Sequence, residues 1–266
     1  FTAGIAEANM IGVAAGMARC GDIPFVHSFS VFLTRRAFDQ VAMQVAYPSL
    51  NVKLVGFLPG LTTLLGVSHQ AIDDLTLMRV LPNMTVIEPA GASQTAAVVR
   101  AAAKINGPVY LRLHKAREPI TNTAVEKNLE VGKGQLLRDG DDAVIFACGY
   151  MVAEALLAAE TLYLSGINVT VANMHTIKPF DSEFVLKQSI RTGVVLSAEN
   201  HSVIGGLGSA VAEVLAERPA GVDIEFKRIG ISDTFAEGGT TAYLFDKYGL
   251  SARHIVAAVH DLLERR

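Results

Sequence analysis

The sequence predicts an α/β protein of two three-layer domains, each a mostly parallel sheet with helices on both faces. Three observations carry this expectation. Apolar runs of strand length alternate with longer amphipathic stretches, the pattern of strands joined by crossover helices. The 266 residues, half of them apolar, are enough for two cores. A polar stretch from Glu118 to Gly140, containing Pro119, Asn122, Asn128, Gly132 and Gly134, divides the chain in the middle. The boundary is placed there, with one domain over residues 1–125 and the second over 126–266.

In chain order, Glu7–Ala18 carries small and apolar residues at helical spacing behind a first-turn acid, and Phe38–Ala46 repeats the pattern. Val52–Phe57 is a strand-length apolar run. Ala71–Val80 reads as a helix, Met84–Glu88 as a strand, Ser93–Lys104 as a helix and Val109–Leu113 as a strand. Beyond the polar stretch, strands are expected at Ala143–Ala147, Asn168–Ala172, Val194–Ser197 and Asp223–Ile229, with helices at Ala153–Leu164 and Ser209–Ala216. In such sheets ligands gather at the carboxyl ends of the strands.

Composition excludes several functions. A net charge of −3 without long basic runs argues against nucleic acid or a membrane surface as partner. No window approaches the ~20 apolar residues of a membrane span, and a cytoplasmic location is expected. Cys20 and Cys148 lack metal or disulfide spacing and read as buried free thiols, and no metal site is expected. The abrupt start at Phe1 suggests that the first residues of the domain are missing.

Two motifs carry chemistry. Gly4-Ile5-Ala6-Glu7-Ala8-Asn9-Met10 embeds a carboxylate at a helix start, which by itself is only favourable to the helix dipole. Phe29-Ser30-Val31-Phe32-Leu33-Thr34-Arg35-Arg36 spaces two aromatics three apart, by itself an ordinary core pair. Together with "GVSHQAIDDLTLMRVLPNMTVIEPA", "PVYLRL", "HTIKPFD" and "SAENHSVIGGLGSAVAE", in this order, they resemble transketolases over essentially the whole chain, above all the split forms whose C-terminal half is a separate subunit.

The resemblance implies a pyrimidine-binding domain followed by the transketolase C-terminal domain, and thiamine diphosphate as cofactor. It makes Glu7 the catalytic carboxylate that bonds the aminopyrimidine ring and favours its imino tautomer. Phe32 and Phe29 become the aromatic surface for that ring, with His27 nearby. His69 falls where the family reaches substrate, as a catalytic and substrate-binding residue. Lys115, with His114 and Arg117 beside it, falls at the strand end that holds the sugar phosphate. Arg35 and Arg36 read as surface or interface charges. Glu199, Asn200 and His201 read as structural or interface residues, ahead of a tight Gly205–Gly208 loop that opens a helix.

The chain also departs from the family. Phe57-Leu58-Pro59-Gly60-Leu61-Thr62-Thr63-Leu64-Leu65 replaces polar groups expected to meet donor hydroxyls, which points away from a standard pentulose phosphate toward a branched, deoxy or sulfonated ketose phosphate. Nothing resembles the diphosphate-binding module. An N-terminal partner subunit in an α2β2 assembly is therefore expected to supply it, with the Mg2+. The resemblance thus implies transfer of a two-carbon ketol unit to an aldose. Alternatives are a subunit like deoxyxylulose-phosphate synthase or 2-oxoacid-dehydrogenase beta, and a non-catalytic partner.

Overall fold

The computed structural model describes residues 1–114 and 129–266. The boundary expected at 125/126, and the candidate residues Lys115 and Arg117, lie outside the described residues. Two five-stranded sheets form, in the orders β1-β2-β4-β3-β8 and β10-β9-β6-β7-β5. The first contains β1 (Phe25–Phe29), β2 (Lys53–Phe57), β3 (Thr85–Ile87), β4 (Val109–Leu113) and β8 (Thr176–Lys178). The second contains β5 (Gln135–Arg138), β6 (Ala143–Ala147), β7 (Val169–Asn173), β9 (Val194–Ser202) and β10 (Glu225–Ile231). Pairing is parallel except at one edge of each sheet, where β8 runs against β3 and β5 against β7.

The expected helices are present, with extra ones at Ser182–Thr192, Thr241–Lys247 and Ala252–Glu264. The segment expected as Phe38–Ala46 is helical from Phe32 onward: π turns at Phe32–Arg36 and Val41–Ala46 flank a short α segment, Phe38–Gln40. Thr34 Oγ1 donates to Ser30 O at 2.7 Å there, the kind of back-bond that loosens the regular ladder.

The two halves are not independent bodies. β8 follows β7 in sequence but completes the first sheet, and Lys178 Nζ donates to the carbonyls of Arg79 and Leu81 at 3.0 and 2.5 Å. One hydrophobic cluster runs from Ile11, Leu54 and Met84 to Phe146, Met174 and Val211. Glu88 N donates to His175 O at 2.8 Å, so a histidine of the second half lies against the first sheet.

Burial holds His175 down at about 4, so it stays neutral in the fold while the unfolded chain protonates near 6.5. The unfolded state then binds more protons between those values, and stability falls as pH drops through that window, by roughly 3 kcal/mol at its acid end. Urea midpoints for wild type and His175→Asn at pH 7 and pH 4.5 test this. The wild type is expected to lose more on acidification, and equal losses would refute it.

The expectation that both thiols are buried holds for Cys148 and fails for Cys20. Cys20 caps the first helix, Glu7–Arg19, where the chain leaves through Gly21 with φ 98°, and the turn carries it into solvent.

Candidate active site

Registry brings Phe29, Phe57 and Leu113 side by side at the carboxyl ends of β1, β2 and β4. They wall a chamber of about 650 Å³, open to solvent, whose remaining lining among the described residues is Ser28, Leu58 and His114. Leu58 is held at φ 52°, a left-handed conformation that a branched residue adopts only at a cost, and its N–H donates to Leu113 O at 3.1 Å. The apolar loop that follows splits in two. Leu61 is buried against the second half, whereas Leu64 and Leu65 face solvent.

Glu7 opens the first helix beside this chamber. It is 6 % exposed, with Ser28 Oγ donating to Oε1 at 3.4 Å and Arg36 Nη1 donating to Oε2 at 3.1 Å. The Arg36 guanidinium also lies 4.4 Å from the centre of the Phe32 ring. Arg36 is therefore no plain surface charge: the π turn carries it back over Phe32 to the carboxylate. Arg35 pairs instead with Asp73 at 2.8 Å.

Phe29, Phe32 and His69 form a three-ring cluster with edge-on contacts, centroids 5.0–5.8 Å apart. Ser68 Oγ meets His69 Nδ1 at 3.0 Å. His27, on the exposed face of β1, lies tilted against Phe57 with ring centroids 5.6 Å apart and is not among the chamber's lining residues. The structure thus gathers Glu7, Phe29, Phe32 and His69, and sets His114 on the far wall.

Behind that wall runs a buried polar seam that the sequence did not announce. Arg112, fully buried, binds both oxygens of Asp74 at 2.8 and 2.9 Å, Glu88 Oε1 at 2.7 Å and the carbonyl of Asn200 at 3.0 Å. His114 Nε2 meets the same Glu88 oxygen at 2.6 Å. Complete burial pushes the Glu88 carboxyl up, but Arg112 and His114 outweigh it and hold the group at about 2.

Asn200 Oδ1 receives Leu61 N at 2.9 Å, tying the apolar loop to the second half. Gly60, at φ 59°, lies against the Asn200 amide and leaves no room for a Cβ. Glu199 accepts from Leu207 N and Gly208 N at 2.8 Å, so the Gly205–Gly208 loop places a helix start on a buried carboxylate. Burial raises the Glu199 carboxyl despite His201 and those two amides.

Among the described residues no three His, Cys, Asp or Glu side chains gather as a metal-binding group, and no helix is long and apolar enough to cross a membrane.

Comparison with known proteins gives this geometry a family. Residues 1–119 match the model of the transketolase pyrimidine binding domain, and residues 132–255 that of the transketolase C-terminal domain. The chain is 50% identical to a 6-deoxy-6-sulfo-D-fructose transketolase subunit of Clostridium sp. (strain MSTE9), over 99% of this chain and 81% of the relative. It is 36% identical to the 1-deoxy-D-xylulose-5-phosphate synthase of Syntrophotalea carbinolica (strain DSM 2380 / NBRC 103641 / GraBd1) over 99% of this chain, which spans 41% of that longer protein. A solved split-gene transketolase, described as an inactive beta4 tetramer, superposes with a TM-score of 0.89 at 47% identity, over 97% of this chain and 82% of its own. With both of its halves matched in order and half of its residues shared with one such subunit, the chain belongs to the transketolase family.

Proposed function

We propose that the chain is the pyrimidine-binding subunit of a two-chain transketolase that uses thiamine diphosphate to move a two-carbon ketol unit from an anionic ketose to an aldose. The observation that carries this is the buried Glu7 carboxylate beside the Phe29–Phe32–His69 cluster, at the edge of a chamber over three strand ends. These residues fit an aminopyrimidine: a carboxylate for a ring nitrogen and aromatic surface for the ring. When bound, the cofactor supplies the carbanion chemistry on its thiazolium carbon.

Glu7 holds a proton at the ring nitrogen, Phe32 and Phe29 orient the ring and exclude water, and His69 reaches substrate. Lys115 and Arg117 hold the donor's anionic end, and His114 beside them meets one of its hydroxyls. The domain boundary is placed at 125/126. A separate N-terminal subunit supplies the diphosphate-binding domain and Mg2+ in an α2β2 assembly.

Arg36 currently makes both contacts that such a ring needs, one with the carboxylate and one with the Phe32 face. Its side chain is half exposed. Arg36→Met is expected to tighten thiamine diphosphate binding to the assembled enzyme roughly three- to tenfold, the size of an exposed cation–π contact and ion pair removed. Calorimetry measures this, and weaker binding would show that Arg36 helps hold the ring.

A sulfonated donor is the favoured substrate. Phe57 and Leu58 offer sugar hydroxyls no partner, and the relative at 50% identity carries a 6-deoxy-6-sulfo ketose in its name. The second reading, a synthase taking a 2-oxoacid, is favoured by the 36% relative. Co-expression with the partner subunit separates them. Consumption of sulfonated or phosphorylated ketose without CO2 release supports ketol transfer, whereas CO2 release from pyruvate overturns it.

A further inference from the structure

Glu88 closes β3 at the point where the buried seam meets the chamber wall. Its Oε1 takes Arg112 Nη1 at 2.7 Å and His114 Nε2 at 2.6 Å. A carboxylate paired with a guanidinium accepts and does not donate, so Nε2 carries the proton of that short contact. In the neutral imidazole Nδ1 is then a bare acceptor. It has no hydrogen-bond partner among the described residues, on a side chain 9 % exposed that lines the chamber. A buried acceptor left in that state is costly until a donor reaches it.

We propose that Glu88 is a positioning residue for the donor site, fixing His114 in the Nε2–H tautomer so that Nδ1 accepts a hydrogen bond from a hydroxyl of the ketose. The inference rests on reading the chamber as the donor site. It also gives the second half of the chain a part in recognition. Gly149, at φ 53°, packs so closely that a Cβ there would stand 2.0 Å from Glu88 Oε1, so this glycine pins the carboxylate that pins the ring.

Two measurements test it. In nitrogen-15 spectra of the full chain with labelled histidine at pH 7, the His114 signals, identified by their loss in His114→Phe, are expected to show a protonated Nε2 and a bare Nδ1. A proton on Nδ1 overturns the proposal. In the assembled enzyme, Glu88→Ala, which removes the acceptor of the Nε2 proton, and His114→Phe are each expected to lower donor kcat/KM about tenfold, with the double variant no worse than His114→Phe alone. Losses that multiply overturn it, because Glu88 would then act through the fold and not through the ring. Should the wild-type enzyme turn over no ketose, the functional reading fails, and the spectrum still decides the tautomer.

Discussion

Glu7→Gln is expected to reduce turnover of the assembled enzyme by roughly 100- to 10,000-fold, the range for losing a positioned proton-transfer group. The substitution keeps the volume of the side chain and an amide oxygen for Arg36, so the helix start loses only a half-exposed ion pair and a favourable charge near its dipole, each about 0.3–1 kcal/mol. A large kinetic loss with unchanged thermal midpoint and unchanged subunit association would therefore report chemistry. Steady-state rates at saturating cofactor measure it. Turnover within a few-fold of wild type would remove Glu7 from the reaction and the proposed function with it.

The largest effect on stability is expected at Arg112. Arg112→Met leaves Asp74 and Glu88 both buried without their cation, and breaking a buried pair in this way costs about 3–5 kcal/mol. That is a large share of the roughly 5–15 kcal/mol that holds an ordinary domain folded. The sign of the pH dependence follows from Glu88. In the wild type the depressed carboxyl stabilises the fold above its unfolded value of 4.5, and this is lost as pH falls toward about 2. In the variant only His114 and the Cys148 thiol still oppose burial, so the same group rises from its wild-type position and acidification eases the orphaned charge. Urea midpoints at pH 7 and pH 5 should show the gap between variant and wild type narrowing at the lower pH; a constant gap of under 1 kcal/mol would contradict the ion-pair account.

The sheet interiors were legible because buried parallel strands need continuous apolar runs. Val109–Leu113 and Ala143–Ala147 match the expected bounds residue for residue. The edges were not. β1 interrupts its apolar pattern with His27 and Ser28 because one flank is open, and β8 is three residues long. β9 runs on to Ser202 through Glu199, Asn200 and His201, residues that propensity keeps out of strands. The helix-start amides of Leu207 and Gly208 satisfy Glu199, and the amides of Leu61 and Thr76, far away in the chain, reach Asn200 and His201.

The same limit governs the site. Motifs singled out Glu7, Phe29, Phe32 and His69 as candidates, and they did not single out Arg36 or Glu88. Arg36 reads as a surface charge until the π turn redirects it, and Glu88 as a strand end until His114 and Arg112 converge on it.

The exchange of β8 constrains how this polypeptide can be dissected or recombined. A truncation after residue 114 would strand β3 with a bare hydrogen-bonding edge, the kind of surface on which chains associate indiscriminately. A chimera that grafts a foreign C-terminal portion onto the first portion inherits the same problem unless the donor brings a compatible edge ribbon and a lysine to tether it. The portable module is thus the intact pair of lobes, and crossovers belong at its outer termini.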